Sequence, residues 1–398
     1  MVLLFVLLAC VALYGVKVSS HHEDYISKPV TDSIKGIFAI IIIYSHGRGY
    51  LPSLESLTSL FDIMFYKAIQ AIGQLMVVMF LFYSGYGIME SYRKKPGYLR
   101  GFAKHRILKT LVIFDVAVIL YIALGLLLGK TFSIPEYILS FVGWESIDNS
   151  NWFVFDIIAL YLLVYLALAA RSRWNLSPWV FYIVVFMMCG AFIVFVAATK
   201  KKSYWYDTVL AFPAGLVYSE FKEKIERAFR NYYWPSLGTL IVAFSLMYGS
   251  RGYLTMVLTC VVFALILVLV TMKMKLNNRA LRWLGINCFG IYILQRIPMA
   301  LFSELGLTAH WAVFYVAVVA ATLVLAAGFT KATGVVCKKT WVVGNCCLRT
   351  RTIIVFCFLA AAYVVEAVER FRILFQQVKA QHLLGVQAVG FAGLAAHA

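Results

Sequence analysis

Hydropathy constrains this chain more than any other feature. Apolar windows fall at residues 34–50, 68–92, 106–129, 151–170, 178–198, 204–219, 234–250, 253–272, 283–302 and 310–330, with further runs at 2–18 and 352–366. A helix needs about 20 mostly apolar residues to cross a bilayer core. Of the 398 residues, 63% are hydrophobic and 14% are charged, whereas a soluble domain averages about 45–50% and 25%. The expected fold is therefore an all-α polytopic integral membrane helical bundle. It should have about ten core transmembrane helices plus one or two terminal ones. Three stretches follow: an extra N-terminal hydrophobic segment at 1–27, a membrane domain at 28–335, and a C-terminal segment of unassigned role at 336–398.

The net charge of +18 would suit a nucleic-acid partner, but the positions of the charges exclude one. If the span beginning at 34 runs from inside to outside, the loops that fall inside carry twenty Lys and Arg against seven outside. That asymmetry is the positive-inside rule, so it sets topology and names no partner. One loop disagrees: Lys200-Lys201-Lys202 falls on the outer side. The eight cysteines read as buried small apolar residues, because their spacing fits neither a zinc site nor a secreted disulfide framework. No His/Asp/Glu cluster has metal-ligand spacing, so no metal is expected. Residues 1–18 lack a basic leader and a clean cleavage site, which points to an additional helix whose start lies outside.

Polar residues inside spans are expensive and tend to be functional. His46 closes an apolar helix that carries Lys35 near its other end; eleven residues are about three turns, so the two share a face about 16 Å apart. In the second span, Ser84-Gly85-Tyr86 reads either as helix packing or as a close approach for a ligand. Arg106 and Lys109, three apart at the start of the third span, should point the same way. Two such cations at a membrane boundary suit phosphate, or else anionic lipid. Asn151 and Trp152 open the fourth span, where a sugar could stack on the indole or the ring simply marks the interface. Asp156 is placed to orient a histidine. Arg296, beside Pro298, needs an ion pair with Asp115, Asp156 or Asp207, unless it contacts a substrate.

Taken together, Lys35, His46, Ser84-Gly85-Tyr86, the basic loop through Arg106 and Lys109, and Asn151-Trp152 resemble the acyltransferase-3 family of integral membrane O-acyltransferases. Members include enzymes that O-acetylate bacterial surface polysaccharides. Trp205 to Pro213 and Trp283 to Gln295 are similar as well, and the likeness covers roughly 28–335. The resemblance implies that Lys35 and His46 are the family's basic-then-histidine catalytic pair and that Ser84, Gly85, Tyr86, Arg106 and Lys109 bind the donor. Lys109 departs from the family's second arginine, keeping charge but losing the bidentate fork. Gln295 stands where many relatives have a second histidine.

The function implied is transfer of an acyl group, acetyl from acetyl-CoA, to a hydroxyl of a cell-surface glycan or glycolipid. His46 would be the general base, and Arg106, Lys109 and Arg100 would hold the acyl-CoA phosphates. Asn151, Trp152 and Arg296 would face the acceptor. The partners are acyl-CoA, a carbohydrate or glycolipid acceptor and membrane lipids, with no nucleic acid; the location is the cytoplasmic membrane, multi-pass. A transporter or flippase of a lipid-linked sugar is the alternative, but it would predict internal repeats that the sequence does not show.

Overall fold

A computed structural model describes residues 2–51, 59–250 and 252–342, with side chains through 335. The C-terminal run at 352–366 and the rest of the tail lie outside the described residues. The chain is a succession of helices: α1 (Val2–Leu13), α2 (Lys28–Gly47), α3 (Leu60–Ile72), α4 (Leu75–Lys94), α5 (Lys109–Leu127), α6 (Ile134–Ser140), α7 (Trp152–Trp174), α8 (Pro178–Ala198), α9 (Ala211–Glu220), α10 (Lys222–Asn231), α11 (Tyr233–Ser250), α12 (Tyr253–Lys273), α13 (Arg279–Ile286), α14 (Cys288–Leu294), α15 (Arg296–Glu304) and α16 (Trp311–Val342). Two two-residue strands, β1 (Lys17–Val18) and β2 (Met274–Lys275), pair antiparallel, Lys17 opposite Lys275.

The fold is an all-α polytopic membrane bundle. Among the described residues six helices are long and apolar enough to cross a membrane, or seven if a bent pair counts as one span. Large apolar side chains on α8 (Ile183, Met187, Val194), α12 (Leu254, Leu258) and α16 (Val316, Val324) are exposed, as a lipid-facing surface requires.

By length and composition the described residues give six or seven of the expected ten core spans, and the remaining windows take other forms. The 204–219 window is a loop followed by α9, whose ten residues rise only about 15 Å. The 283–302 window is broken: α13 and the following helix are bent by 58°. Its second break, at Gln295, comes three residues before Pro298, which has no N–H to offer the carbonyl of Leu294. α2 has 20 residues, about 30 Å of helix, and carries Lys28, Asp32 and Lys35 in its first eight residues. At the N-terminus α1, with 12 residues, rises about 18 Å and is too short to span. It packs instead through Phe5, whose ring lies 4.8 Å from Phe65 and 5.9 Å from Tyr44. Cys189 and Cys260 are buried as expected; Cys10 is exposed on α1.

The chain divides into two compact units, one of Met1–Leu111 with Trp152–Tyr292 and one of Val112–Asn151 with Ile293–Ala398. In the first unit two helix pairs are locked by reciprocal glycines. Gly85 of α4 lies against the carbonyl of Phe212, and Gly215 of α9 lies against the carbonyl of Phe82. Likewise Gly36 of α2 meets the carbonyl of Leu281, and Gly285 of α13 meets that of Asp32. A Cβ at any of these positions would collide with backbone, so the glycines let each pair approach closely where no hydrophobic force drives helices together.

Candidate functional site

α2 starts behind Ser27 with Pro29 in its first turn, a position where proline's missing N–H costs nothing. Its length carries Lys35 and His46 on one continuous helix, as the sequence implied. Near the start, Lys35 donates to Asp32 at 2.7 Å and Lys28 does so from the other side at 2.5 Å. Asp32 is buried, its side chain only 6% exposed. The Lys35 cation is therefore held by a carboxylate one turn earlier. Asp32 was missed in the sequence, although its spacing from Lys28 (i+4) and Lys35 (i−3) is the helix ion-pair pattern.

His46 sits in the last turn of α2, half-buried. Its ring lies 6.2 Å from that of Tyr292, which lies 5.5 Å from Phe153; Phe153 lies 6.1 Å from Trp152, and Trp152 lies 5.6 Å from Tyr204. Beside it, Ser45 packs on Gly73, and the next residue, Gln74, donates a hydrogen bond to the buried carboxylate of Asp207. Asp156 does not orient His46. It is wholly buried, neither of its oxygens has a hydrogen-bond partner, and its charged neighbour is Asp207.

The second cluster of the unit lies around Tyr161. Ser84 Oγ is 3.3 Å from the Tyr161 hydroxyl, and the Arg106 guanidinium lies over the Tyr161 ring at 5.9 Å. Tyr161 is nine residues into α7, about 14 Å from its start. Arg106 thus reaches toward the middle of a spanning helix and not merely its boundary. Lys109, expected to point the same way, is exposed whereas Arg106 is half-buried. The cause is a π-helical stretch over Ala103–Leu108, whose wider turn shifts the phase on which the same-face expectation relied. Arg100, in a short 3-10 turn after left-handed Gly97, is exposed. Gly85 spends its missing side chain on α9, and Tyr86 is half-buried with its ring 6.2 Å from Tyr218. Tyr161 had no local signal in the sequence; only tertiary packing brings it between Ser84 and Arg106.

In the second unit, Asn151 is buried and donates to the carbonyl of Gly143 at 2.8 Å. Arg296 donates through Nε to Ser150 Oγ at 3.1 Å and helps line a cleft of about 250 Å³ with Tyr121, Lys130 and Asp148. Among the described residues Arg296 makes no ion pair with Asp115, Asp156 or Asp207: it contacts this hydroxyl, Asp207 accepts from Gln74, and neither oxygen of Asp156 has a hydrogen-bond partner.

The histidine, the inward arginine and the glycine-locked helix around Ser84 occur together in one unit, and that unit lies mostly inside a stretch with a recognisable family pattern. Residues 31–331 match the family of acyltransferase-3 proteins, described as an acyltransferase domain. The chain belongs to the acyltransferase-3 family. No curated protein and no solved structure matches it. Membership makes this acyltransferase-3 protein a membrane acyltransferase rather than the transporter held as the alternative.

Proposed function

We propose that this acyltransferase-3 protein moves an acetyl group from acetyl-CoA to a hydroxyl of a cell-surface glycan or glycolipid in the cytoplasmic membrane. The observation that carries the reading is the pairing, within one compact unit, of a half-exposed imidazole at one end of α2 with a guanidinium drawn in beside Ser84 and Tyr161. Transfer to a hydroxyl needs a base for its proton and positive charge near the donor. His46 takes the proton from the acceptor and returns it to the departing CoA thiolate. The ring of Tyr292 beside it, backed by Phe153, fixes where the imidazole sits, and its neutral form is the one able to accept a proton.

Arg106 holds the donor phosphates nearest the bundle, and the exposed Lys109 and Arg100 hold those closer to the cytoplasm. Ser84 and Tyr86 line the path of the pantetheine arm, while Gly85 lets the helices close beside it. Lys35 keeps the start of α2 in place through Asp32. Trp152 faces the acceptor.

The test is acetyl-CoA binding and consumption in membranes carrying the native chain, His46→Ala or Arg106→Ala. His46→Ala should lose about 10²–10⁴ in turnover, the usual worth of a general base, with donor binding intact. Arg106→Ala should weaken donor binding. A native chain that neither binds nor consumes acetyl-CoA with acceptors supplied would overturn the reading.

A further inference from the structure

The loop between α8 and α9 places three consecutive cations on the side where the positive-inside rule disfavours them. Lys200 and Lys202 are exposed, and Lys201 is half-buried with its ammonium 4.8 Å from the Trp205 ring centre. Among the described residues neither Lys200 nor Lys202 makes an ion pair. Lys200 also takes a left-handed backbone, φ 60°, a conformation that non-glycine residues rarely adopt.

Immediately after the triplet, Tyr204 packs on Trp152 at 5.6 Å and Trp205 on Phe155 at 5.9 Å. From Tyr204 the rings continue through Trp152, Phe153 and Tyr292 to His46, each 5.5 to 6.2 Å from the next. Tyr204 and Trp152 are half-buried and keep open ring surface; Phe153 and Tyr292 are buried. A row of aromatic rings offers apolar faces on which sugar rings stack, and it leads from the cations to the proposed base.

We infer that Lys200, Lys201 and Lys202 dock the acidic groups of an anionic glycan whose sugar rings stack on Tyr204 and Trp152, so that the acceptor of the reaction is a carboxylate- or phosphate-bearing saccharide. The inference rests on the proposed function for its acceptor side. It adds what that reading leaves open, the charge class of the acceptor. The geometry favours a glycan over an anionic lipid headgroup because the cations join an aromatic path directed at His46 rather than an isolated patch on a lipid-facing helix.

The experiment measures binding without acyl-CoA, so its outcome is separate from that of the acetyl-CoA assay. The full chain, in nanodiscs of phosphatidylcholine, is titrated with an oligogalacturonate and with a neutral malto-oligosaccharide of equal length. The same titrations are made on Lys200→Ala/Lys201→Ala/Lys202→Ala and on the corresponding triple Arg variant. Oligogalacturonate should bind the native chain more tightly than the neutral sugar and lose affinity as salt rises. The triple Ala variant should bind it about tenfold more weakly, the sum of three exposed charge contacts, and the Arg variant should restore binding. Unchanged acetyl-CoA binding checks that the Ala variant is folded. Equal affinity for acidic and neutral sugars would overturn the inference. So would a triple Ala variant that keeps oligogalacturonate binding but loses affinity for phosphatidylglycerol vesicles.

Discussion

The two ends of α2 are built from different chemistry. At its start, Asp32 is clamped between Lys28 and Lys35, and the backbone beside it is pressed against Gly285 of α13. At its other end, His46 is flanked by Tyr292 and, beyond it, Phe153. The first end pairs its charges with one another where the α2 backbone meets α13. The second places an imidazole beside aromatic rings. One helix thus carries an anchored end and, in the function proposed above, the end that bears the base.

Breaking the anchor should have the largest effect. Gly36→Val places a branched side chain against the carbonyl of Leu281 and the Cβ of Leu284. Overpacking there should cost about 3 kcal/mol or more, seen as loss of folded protein on size-exclusion chromatography in detergent. Asp32→Asn strips both lysines of their partner while keeping the shape, and should lower stability by about 1–2 kcal/mol. The thermal midpoint should fall while turnover per folded molecule stays within a few-fold; a collapse in turnover at unchanged stability would instead place Asp32 in the chemistry.

At the other end, Tyr292→Leu should do the reverse. With one ring gone from beside His46, kcat should fall about tenfold, the scale of a small misplacement. The KM for acetyl-CoA and the thermal midpoint should barely move, and equal losses in both would erase the contrast between the ends. The smallest effect belongs to Asp24. Its hydrogen bond from Lys275 holds its carboxyl below the usual carboxylate range. A lowered folded-state pKa stabilises above the unfolded value and is lost as pH falls through the folded one. Asp24→Asn should therefore reduce stability near neutrality by less than about 1 kcal/mol, the pair being partly exposed. The difference should vanish below about pH 3, in a thermal-shift series run down through the acid range.

Much of the site could be read along single helices. Lys35 and His46 share one uninterrupted α2, and Ser84-Gly85-Tyr86 lies on one α4. Periodicity within a helix survives folding because the backbone alone sets it. The readings that failed depended on something beyond one helix. The shared face of Arg106 and Lys109 gave way to a π-helical turn. The ion pair expected for Arg296 became a hydroxyl contact with Ser150. The helix within the 204–219 window is only ten residues long, because an apolar window reports burial and not which geometry satisfies it.

The sequence by itself determined that the chain is a helical membrane protein, which face of α2 carries its ionisable groups and which family it resembles. Apolar length, helical period and motif spacing are local quantities, and each is written in consecutive residues. Tertiary structure alone decided that Tyr161 joins Ser84 to Arg106, that the backbone of Asp32 meets Gly285 of α13, and that four rings connect His46 to Lys202's loop. Those contacts join residues far apart in the chain, and they arise only when reciprocal glycines let separate helices come close enough for side chains to meet.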